Sequence, residues 1–210
     1  MSKVITALGR DWLWPDADEK CHKVVFDWSA DLRAVYPHCR AFNCAVQAGG
    51  NMGVWPWLLA QKFKRVVTFE PDPVCFPLLV QNVEGAPNIE AYQAALLDRP
   101  TRCAMENDDP VNLGAQYVRA GAGEIPAGTI DDLHLSACDL IYLDIEGAEL
   151  PALVGAVKTI EEFRPVIVVE DKKLSERFGY AKGDIEAWLR KDFGYEVVAR
   201  PHRDVVMVCK

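Results

Sequence analysis

Short apolar segments alternate along the chain with amphipathic helical segments, and this alternation restricts the fold more than any other feature. Apolar and β-branched runs predict strands at residues 42–46, 65–69, 89–93, 139–143 and 166–169. Helices are predicted at residues 54–63 and 72–82, from residue 151 onward, and at 184–193. Two further strands, 195–199 and 205–209, are predicted to form an antiparallel hairpin. This order favours a doubly wound, mostly parallel α/β sheet with a C-terminal antiparallel hairpin.

The length of 210 residues predicts a single domain, with residues 1–40 as an N-terminal extension or cap and residues 41–210 as the core. Residues 1–22 are predicted to be irregular and residues 28–36 to form a short helix. Residues 98–129 contain no long apolar run and predict loops or short hairpins. Since long loops in compact domains are usually functional, we expect this segment to face the substrate.

The formal net charge of −8 argues against tight non-specific binding to nucleic acid, although it leaves room for a local basic patch. The seven cysteines include no C-x-x-C pair and predict reduced thiols. No apolar run approaches the roughly 20 residues that span a bilayer, and the N-terminus lacks the apolar stretch of a signal peptide. We therefore expect a cytoplasmic protein without a membrane or nucleic-acid partner, which also fits a viral or phage product made in a host cell. The oligomeric state is left open.

A glycine-containing loop follows the first core strand and precedes a helix. Gly49, Gly50 and Gly53 let the backbone turn tightly and approach a ligand, and the helix N-terminus offers free N–H groups. Glu70 ends the next strand, where a carboxylate can accept hydrogen bonds from ribose hydroxyls. The glycines do not have the G-x-G-x-x-G spacing that admits a pyrophosphate. Together these features favour a nucleoside cofactor without phosphate, of which S-adenosylmethionine is the common one.

Two groups of motifs resemble a known family over roughly residues 42–172. Two segments of this chain resemble the first two cofactor motifs of class I S-adenosylmethionine-dependent methyltransferases: VQAGGNMGVW and VVTFEPDPVCFPLLVQNV. Further segments resemble the FkbM family specifically, in which a strand ends in Asp-x-Glu-Gly-x-Glu. The matching segment here is DLIYLDIEGAELPALVGAVKTI, which follows TIDDL and precedes RPVIVVE. The resemblance implies a Rossmann-like class I methyltransferase fold with a seven-stranded sheet.

The resemblance also implies which residues bind the cofactor. The loop would lie beneath the methionine part, Glu70 would hold the ribose, and residues after the second and third core strands would border the adenine. Gln47 occupies a position where the family usually has an acid that helps to recognise the cofactor ammonium, and it offers a hydrogen bond without the charge. The implied cofactor-binding residues are Gln47, Gly49, Gly50, Asn51, Gly53, Glu70, Pro71, Asp72, Ala94, Ala95, Leu96 and Asp144.

Methyl transfer to a hydroxyl needs a base that takes the proton or a metal that activates the oxygen. In the first arrangement, Asp144 or Glu146 is the catalytic base at the tip of the fourth core strand. In the second, Asp144 joins Glu170 and Asp171 to hold Mg²⁺, because the two strand tips are adjacent and oxygen ligands suit this cation.

Structural roles are the alternatives for some of these acids. Glu170 and Asp171 could instead cap a helix or pair with Lys172 or Lys173. Glu149 precedes a helix, where its carboxylate would interact with free N–H groups and the helix dipole.

The resemblance implies an S-adenosylmethionine-dependent O-methyltransferase that acts on a hydroxyl of a sugar, a glycan or a small metabolite. The alternative is a non-catalytic cofactor-binding or protein-interaction module with a degenerate methyltransferase fold, suggested by the uncharged Gln47. A methyltransferase of RNA or protein is disfavoured by the acidic charge.

Overall fold

A computed structural model of the protein describes residues 2–209. Its strands are β1 (Ser2–Ala7), β2 (Arg10–Pro15), β3 (Cys44–Ala48), β4 (Arg65–Phe69), β5 (Ile89–Tyr92), β6 (Ala95–Leu96), β7 (Thr101–Asn107), β8 (Gln116–Ala120), β9 (Ile125–Gly128), β10 (Leu140–Leu143), β11 (Val166–Glu170), β12 (Tyr195–Ala199) and β13 (Asp204–Cys209). Its α-helices are α1 (Cys21–Trp28), α2 (Leu32–Val35), α3 (Val54–Ala60), α4 (Cys75–Asn82), α5 (Glu149–Val154), α6 (Val157–Phe163) and α7 (Asp184–Phe193). Short 3-10 helices occur at Ser29–Asp31, Tyr36–His38, Leu113–Ala115, Asp131–Leu133 and Lys173–Phe178.

Seven strands form the central sheet in the order β12-β13-β11-β10-β3-β4-β5. The five strands from β11 to β5 are parallel, whereas β13 is antiparallel to both β11 and β12. The predicted mostly parallel sheet with a C-terminal antiparallel hairpin is thus confirmed. The chain leaves β3 toward β4 on one side and later returns to β10 on the other. The strand order therefore switches between β3 and β10, which is where ligands bind in sheets of this type.

Alternate residues of the central strands face two separate apolar clusters. In β10, Ile141 and Leu143 pack into the cluster under α5, α6 and α7, and Leu140 and Tyr142 pack into the cluster under α2 and α3. All residues of β3, β10 and β11 are buried. Burial on both faces explains why these strands are continuously apolar in the sequence.

Two helices differ from their predicted bounds at positions where a proline or a glycine restricts the backbone. Helix α4 begins at Cys75, so Pro77 lies in its first turn, where a missing N–H costs no helical hydrogen bond. The helix predicted from residue 151 is divided into α5 and α6 at Gly155. A Cβ at Gly155 would lie 2.2 Å from the carbonyl oxygen of Leu97, so the chain passes too close there for a side chain.

The prediction that residues 1–22 are irregular is wrong, because β1 and β2 form an antiparallel hairpin and α1 follows. Trp12 and Trp14 alternate on the buried face of β2, and neither is exposed. The Asn82 side chain joins this hairpin to the core: its Oδ1 accepts from the Leu13 N–H at 2.7 Å, and its Nδ2 donates to the Leu13 carbonyl at 2.8 Å. Residues 28–36 form a 3-10 turn and the short α2 after α1.

Residues 98–129 contain strands of a second, four-stranded sheet with the order β6-β9-β7-β8. Strand β7 pairs antiparallel with both β8 and β9, so the predicted short hairpins are present, joined into a sheet. A separate small apolar cluster that includes Cys103 and Val118 supports this sheet. Within residues 2–209, no helix has both the length and the apolar character needed to cross a membrane.

Candidate active site

The loop after β3 approaches the end of β10 so closely that only glycine fits at its start. Gly49 has a φ of +82°, and a Cβ on it would lie 1.9 Å from the carbonyl oxygen of Asp144. The N–H groups of Gly49 and Gly50 both donate to the carbonyl oxygen of Phe69, at 3.1 and 2.9 Å. The loop is therefore held between the ends of β4 and β10 at the switch in strand order.

Glu70, directly after β4, is buried beside this loop. Its Oε2 accepts from the Asn51 N–H at 2.6 Å, and its Oε1 accepts from the Asp72 N–H at 2.8 Å. Burial raises the pKa of Glu70 to about 7 despite these two N–H donors. Each carboxylate oxygen can accept more than one hydrogen bond, so Glu70 keeps acceptor capacity for a ligand.

A cleft of about 710 Å³, counting its open mouth, lies over the loop and the strand ends. The predicted cofactor residues that line it are Gly49, Asn51, Glu70, Pro71, Ala94, Ala95, Leu96 and Asp144, and the predicted base Glu146 lines it as well.

Gln47, which the resemblance implies as a cofactor-binding residue, does not line this cleft. The residue is fully buried, and its Oε1 accepts from the hydroxyl of Thr68, its partner in the β3–β4 register. Its Nε2 donates to the carbonyl oxygens of Ala48 and Gly49, both at 3.0 Å. Because Thr68 and the backbone take both ends of the amide, Gln47 supports the loop from below.

Gly50, Gly53 and Asp72 also shape the cleft without lining it. A Cβ at Gly50 would lie 2.5 Å from a Leu79 methyl, and Gly53 has a φ of +92° before α3. Asp72 caps the start of α4, as predicted, because its Oδ1 accepts from the N–H groups of Val74 and Cys75, both at 2.8 Å.

Two segments that individual sequence motifs did not identify form the cover of the cleft. Cys21 and Val25 of α1 line it from the N-terminal segment. The segment that we expected to face the substrate contributes Met105, Leu113, Gly114, Gln116, Tyr117 and Val118. The sequence feature that pointed to this segment was the unusual composition of residues 98–129. It did not show which of these residues would line the cleft.

Asp18 fastens these two parts of the cover together. It is fully buried, and its Oδ1 accepts from the N–H groups of Cys21 and Leu113 at 3.1 and 3.2 Å. Its Oδ2 accepts from the Trp14 Nε1 at 2.8 Å and the His22 N–H at 3.1 Å. Burial would raise the pKa of Asp18, but the hydrogen bonds from His22, Trp14 and Leu113 outweigh it and lower the pKa.

A second cavity adjoins the cleft. Its shared walls include Cys21, Trp55, Asp144 and Glu146. Beyond them it is lined by further residues from four parts of the chain, among them Trp28, Asn112, Glu170, Lys172 and Arg203. Asp144 and Glu146 therefore face the junction of the two cavities.

Three carboxylates converge at this junction. One oxygen from each of Asp144, Glu146 and Glu170 lies within 4.8 Å of the others. The Lys172 ammonium is 3.5 Å from Glu146 Oε1 and also contacts Glu170 Oε2. Burial and the neighbouring Asp144 raise the pKa of Glu146 and Glu170, and Lys172 offsets part of that rise.

Of the three predicted Mg²⁺ ligands, Asp144 and Glu170 come together and Asp171 does not. Asp171 is turned away from the junction, where its Oδ1 accepts from the Gly183 N–H at 3.3 Å. Glu146 takes its place in the carboxylate group, and the ammonium of Lys172 already supplies a positive charge to Glu146 and Glu170. The alternative role of Glu170, an ion pair with Lys172, is confirmed. The carboxylate group therefore differs from the predicted set of magnesium ligands at one position, with Glu146 in place of Asp171.

Glu149 has a structural role, as the sequence predicted. It is buried, and its two oxygens accept from the N–H groups of Ile145 and Gly147 at 2.9 and 3.0 Å. These bonds hold the backbone between β10 and α5, where Glu146 has a φ of +54°. Glu149 consequently fixes the backbone from which the Glu146 side chain extends.

Comparison with known families places this site in context. The family model described as the methyltransferase FkbM domain matches residues 47–197. The chain belongs to the FkbM methyltransferase family. The matched residues include the loop after β3, Glu70 and the carboxylates Asp144, Glu146 and Glu170. The β1–β2 hairpin and α1 precede the matched residues.

Solved structures show the same fold at low identity. The FkbM methyltransferase from Methylobacillus flagellatus KT is 22% identical with a TM-score of 0.53, and the match covers 79% of this chain and 42% of that one. A Streptococcus mutans protein in complex with SAH is 8% identical with a TM-score of 0.53, covering 86% of this chain and 96% of that one. Trm5b from Pyrococcus abyssi is 11% identical with a TM-score of 0.55, covering 98% of this chain and 54% of that one.

The predicted Rossmann-like class I methyltransferase fold is therefore confirmed. This FkbM chain spans less than half the length of the Methylobacillus flagellatus protein. No curated protein sequence matches it at a significant level.

Proposed function

We propose that the protein is an S-adenosylmethionine-dependent methyltransferase that acts on a hydroxyl of a sugar, a glycan or a small metabolite. The observation that carries this proposal is the junction of the two cavities at Asp144 and Glu146. One cavity contains the residues suited to a nucleoside cofactor, and the other is lined by the same two carboxylates. Membership of the FkbM family supports the reaction, and the hydroxyl acceptor rests on the likeness of the motifs to that family.

The residues of the cleft fit the cofactor. When bound, S-adenosylmethionine supplies an activated methyl group on a sulfonium. Glu70 can accept hydrogen bonds from ribose hydroxyls, since each of its oxygens now accepts one backbone N–H. The apolar Ala95 and Leu96 offer a surface for the adenine, and Gly49 allows close approach of the backbone.

Asp144 and Glu146 are the residues that can handle the acceptor proton. A carboxylate oxygen of either can accept a hydrogen bond from the acceptor hydroxyl, orient it and take its proton. The raised pKa of Glu146 makes it a stronger base than an exposed glutamate. Lys172 and Glu170 hold Glu146 in place through the ion-pair group, and the cover formed by α1 and residues 113–118 limits access of water.

Calorimetric titration with S-adenosylmethionine tests the cofactor site. We expect micromolar binding to the wild type and at least about tenfold weaker binding to Glu70→Ala, because hydrogen bonds to a charged group contribute about 1.5–3 kcal/mol. Glu84→Gln is the matched control, because Glu84 is an exposed carboxylate outside the cleft. Absence of binding to the wild type would overturn the proposal.

Formation of S-adenosylhomocysteine with a panel of sugars, glycans and small hydroxyl metabolites tests the reaction. We expect product with the wild type and a strong loss in Glu146→Gln, with cofactor binding retained because Glu146 is not among the implied cofactor-binding residues. Because Lys172 already pairs with Glu146 and Glu170, we expect product to form in EDTA as well as with added Mg²⁺. Cofactor binding without product from any acceptor would instead favour the non-catalytic alternative.

We propose a cytoplasmic location for this reaction. It is supported by the arrangement of the seven cysteines, since no two of them form a disulfide among residues 2–209.

A further inference from the structure

A basic basin lies beside the second cavity at the carboxyl end of the sheet. It is formed by the turn between β12 and β13 together with the segment after β11. Its charged lining residues are Lys172, Lys173, Lys182, Arg200, Arg203, Asp171 and Asp204, and His202 also lines it. Five positive and two negative side chains thus meet in one basin, whereas the whole chain has a net charge of −8.

Three of these cations have no carboxylate partner. Lys173, Lys182 and Arg203 are exposed and form no ion pair with any residue in the range 2–209. By contrast, Arg200 pairs with Glu186 at 2.7 Å, as exposed arginines of an acidic protein commonly do. Three unpaired cations around one basin attract an anion that approaches it.

Each of the two acids of the basin already accepts a hydrogen bond, and Asp171 also interacts with the charges of Lys182 and Arg200. Asp171 Oδ1 accepts from the Gly183 N–H, and Asp204 Oδ2 accepts from the Tyr142 hydroxyl. Asp171 is only 6% exposed, so its carboxylate presents little surface to a ligand. The open face of the basin is therefore positive.

The basin adjoins the cavity proposed for the acceptor, because Lys172 and Arg203 line both of them. Lys172 also reaches Glu146 at the junction with the cofactor cleft. A ligand group held in the basin would therefore lie beside the acceptor cavity.

We propose that the basin binds a phosphate ester group of the acceptor, so that the substrate is a phosphorylated or nucleotide-linked sugar or metabolite. This inference rests on the proposed methyltransferase function. An arginine with its fork of N–H donors and two lysine ammonium groups suit the several oxygens of a phosphate. The phosphate would anchor one end of the substrate while its hydroxyl lies near Asp144 and Glu146.

Calorimetry with inorganic pyrophosphate, at low ionic strength and without S-adenosylmethionine, tests the basin directly. We expect binding to the wild type and roughly tenfold weaker binding to the double variant Lys173→Ala and Lys182→Ala, which removes two charge-assisted contacts. Lys191→Ala is the matched control, because Lys191 is an exposed lysine of α7 outside the basin. Equal affinity of the double variant and the control, or no binding to the wild type, would overturn the inference.

Saturation with S-adenosylmethionine separates this inference from the proposed function. We expect pyrophosphate to bind equally well with the cofactor cleft filled. Cofactor binding without pyrophosphate binding would overturn only the phosphate site. Pyrophosphate binding without cofactor binding would leave the anion site but overturn its assignment to a methyl acceptor.

Methyl transfer to matched compounds identifies the source of the phosphate. Glucose 1-phosphate adds one phosphate to glucose, and uridine diphosphate glucose adds a second phosphate and uridine. We expect one of the two phosphorylated compounds to accept the methyl group, or to inhibit its transfer, at a concentration at least about tenfold lower than glucose requires. The double variant should remove this difference. A single-stranded RNA oligonucleotide that binds more tightly than all three, with a steep salt dependence, would overturn the inference in favour of an RNA acceptor.

Discussion

Gly49 shows at the scale of one residue why the loop after β3 requires glycine. It has a positive φ, and in addition a side chain there would collide with the backbone of Asp144. We expect Gly49→Ala to lower the free energy of unfolding by more than about 4 kcal/mol, because both effects apply. Gly85→Ala isolates the first effect, since Gly85 has a φ of +88° with open space around it, and should cost only about 1–2 kcal/mol. Equal losses in urea unfolding of the two variants would contradict this explanation.

Lys172 is the cation that pairs with the carboxylates of Glu146 and Glu170 at the junction of the two cavities. Burial lowers the pKa of this lysine, but Glu146 and Glu170 outweigh burial and raise it. Lys172→Met would leave these two carboxylates without their cation, and breaking such a buried pair costs roughly 3–5 kcal/mol. This cost applies only when the carboxylates are ionised, so we expect the loss of thermal stability to be larger at pH 8 than at pH 5.

Thermal unfolding of the wild type, Lys172→Met and Lys173→Met at both pH values measures this effect. Lys173 is the exposed neighbour without an ion pair in the described chain, so its variant should resemble the wild type at both pH values. A Lys172→Met deficit that does not change with pH would show that the carboxylates are not the cause.

At the scale of elements, the cover of the cleft depends on Asp18. This carboxylate joins α1 to the turn at Leu113, and both segments line the cleft. In Asp18→Asn one oxygen becomes an NH₂ group, which cannot accept from either Trp14 or His22. We expect a loss of about 1–3 kcal/mol and faster amide hydrogen exchange in residues 21–28 and 107–116.

Asp16→Asn is the matched control for this prediction, because Asp16 is an exposed acid two residues away. Its exchange should equal that of the wild type. Unchanged exchange of both segments in Asp18→Asn would mean that the cover does not depend on the buried carboxylate.

The elements also differ in how far the sequence predicts them. Strands β4 and β11 were predictable because burial on both faces leaves a continuous apolar run such as residues 166–169. The β1–β2 hairpin was missed, although Trp12 and Trp14 alternate with period two, because an isolated short hairpin has little support until it packs on Asn82 and α4. Likewise the family resemblance implied a cofactor contact for Gln47, whereas its hydrogen bond with Thr68 depends on the pairing of two strands and was not visible in the sequence. Local patterns thus identified the strand tips, while contacts made between distant segments required the structure.

At the scale of the whole molecule, buried carboxylates are expected to make stability depend on pH. Burial raises the pKa of both Glu70 and Glu149 to about 7, compared with about 4.3 for glutamate in an unfolded chain. Between these two values the native state binds more protons than the unfolded state, so the free energy of unfolding falls as pH rises. The lowered pKa of Asp18 acts below the usual range of an aspartate, outside this window. We therefore expect stability contributed by these glutamates to be lost progressively from pH 5 to pH 8.

Urea unfolding of the wild type and Glu149→Gln at several pH values between 5 and 8 tests this expectation. Glutamine keeps the size of the side chain and one acceptor oxygen but removes the titration at residue 149. Each fully linked proton changes stability by about 1.4 kcal/mol per pH unit, so the variant should show a slope that is shallower by up to this amount. Glu161→Gln, which removes an exposed carboxylate of α6 instead, is the control variant. If Glu149→Gln keeps the wild-type slope, Glu149 is ionised throughout this range, and the two N–H groups it accepts from outweigh its burial.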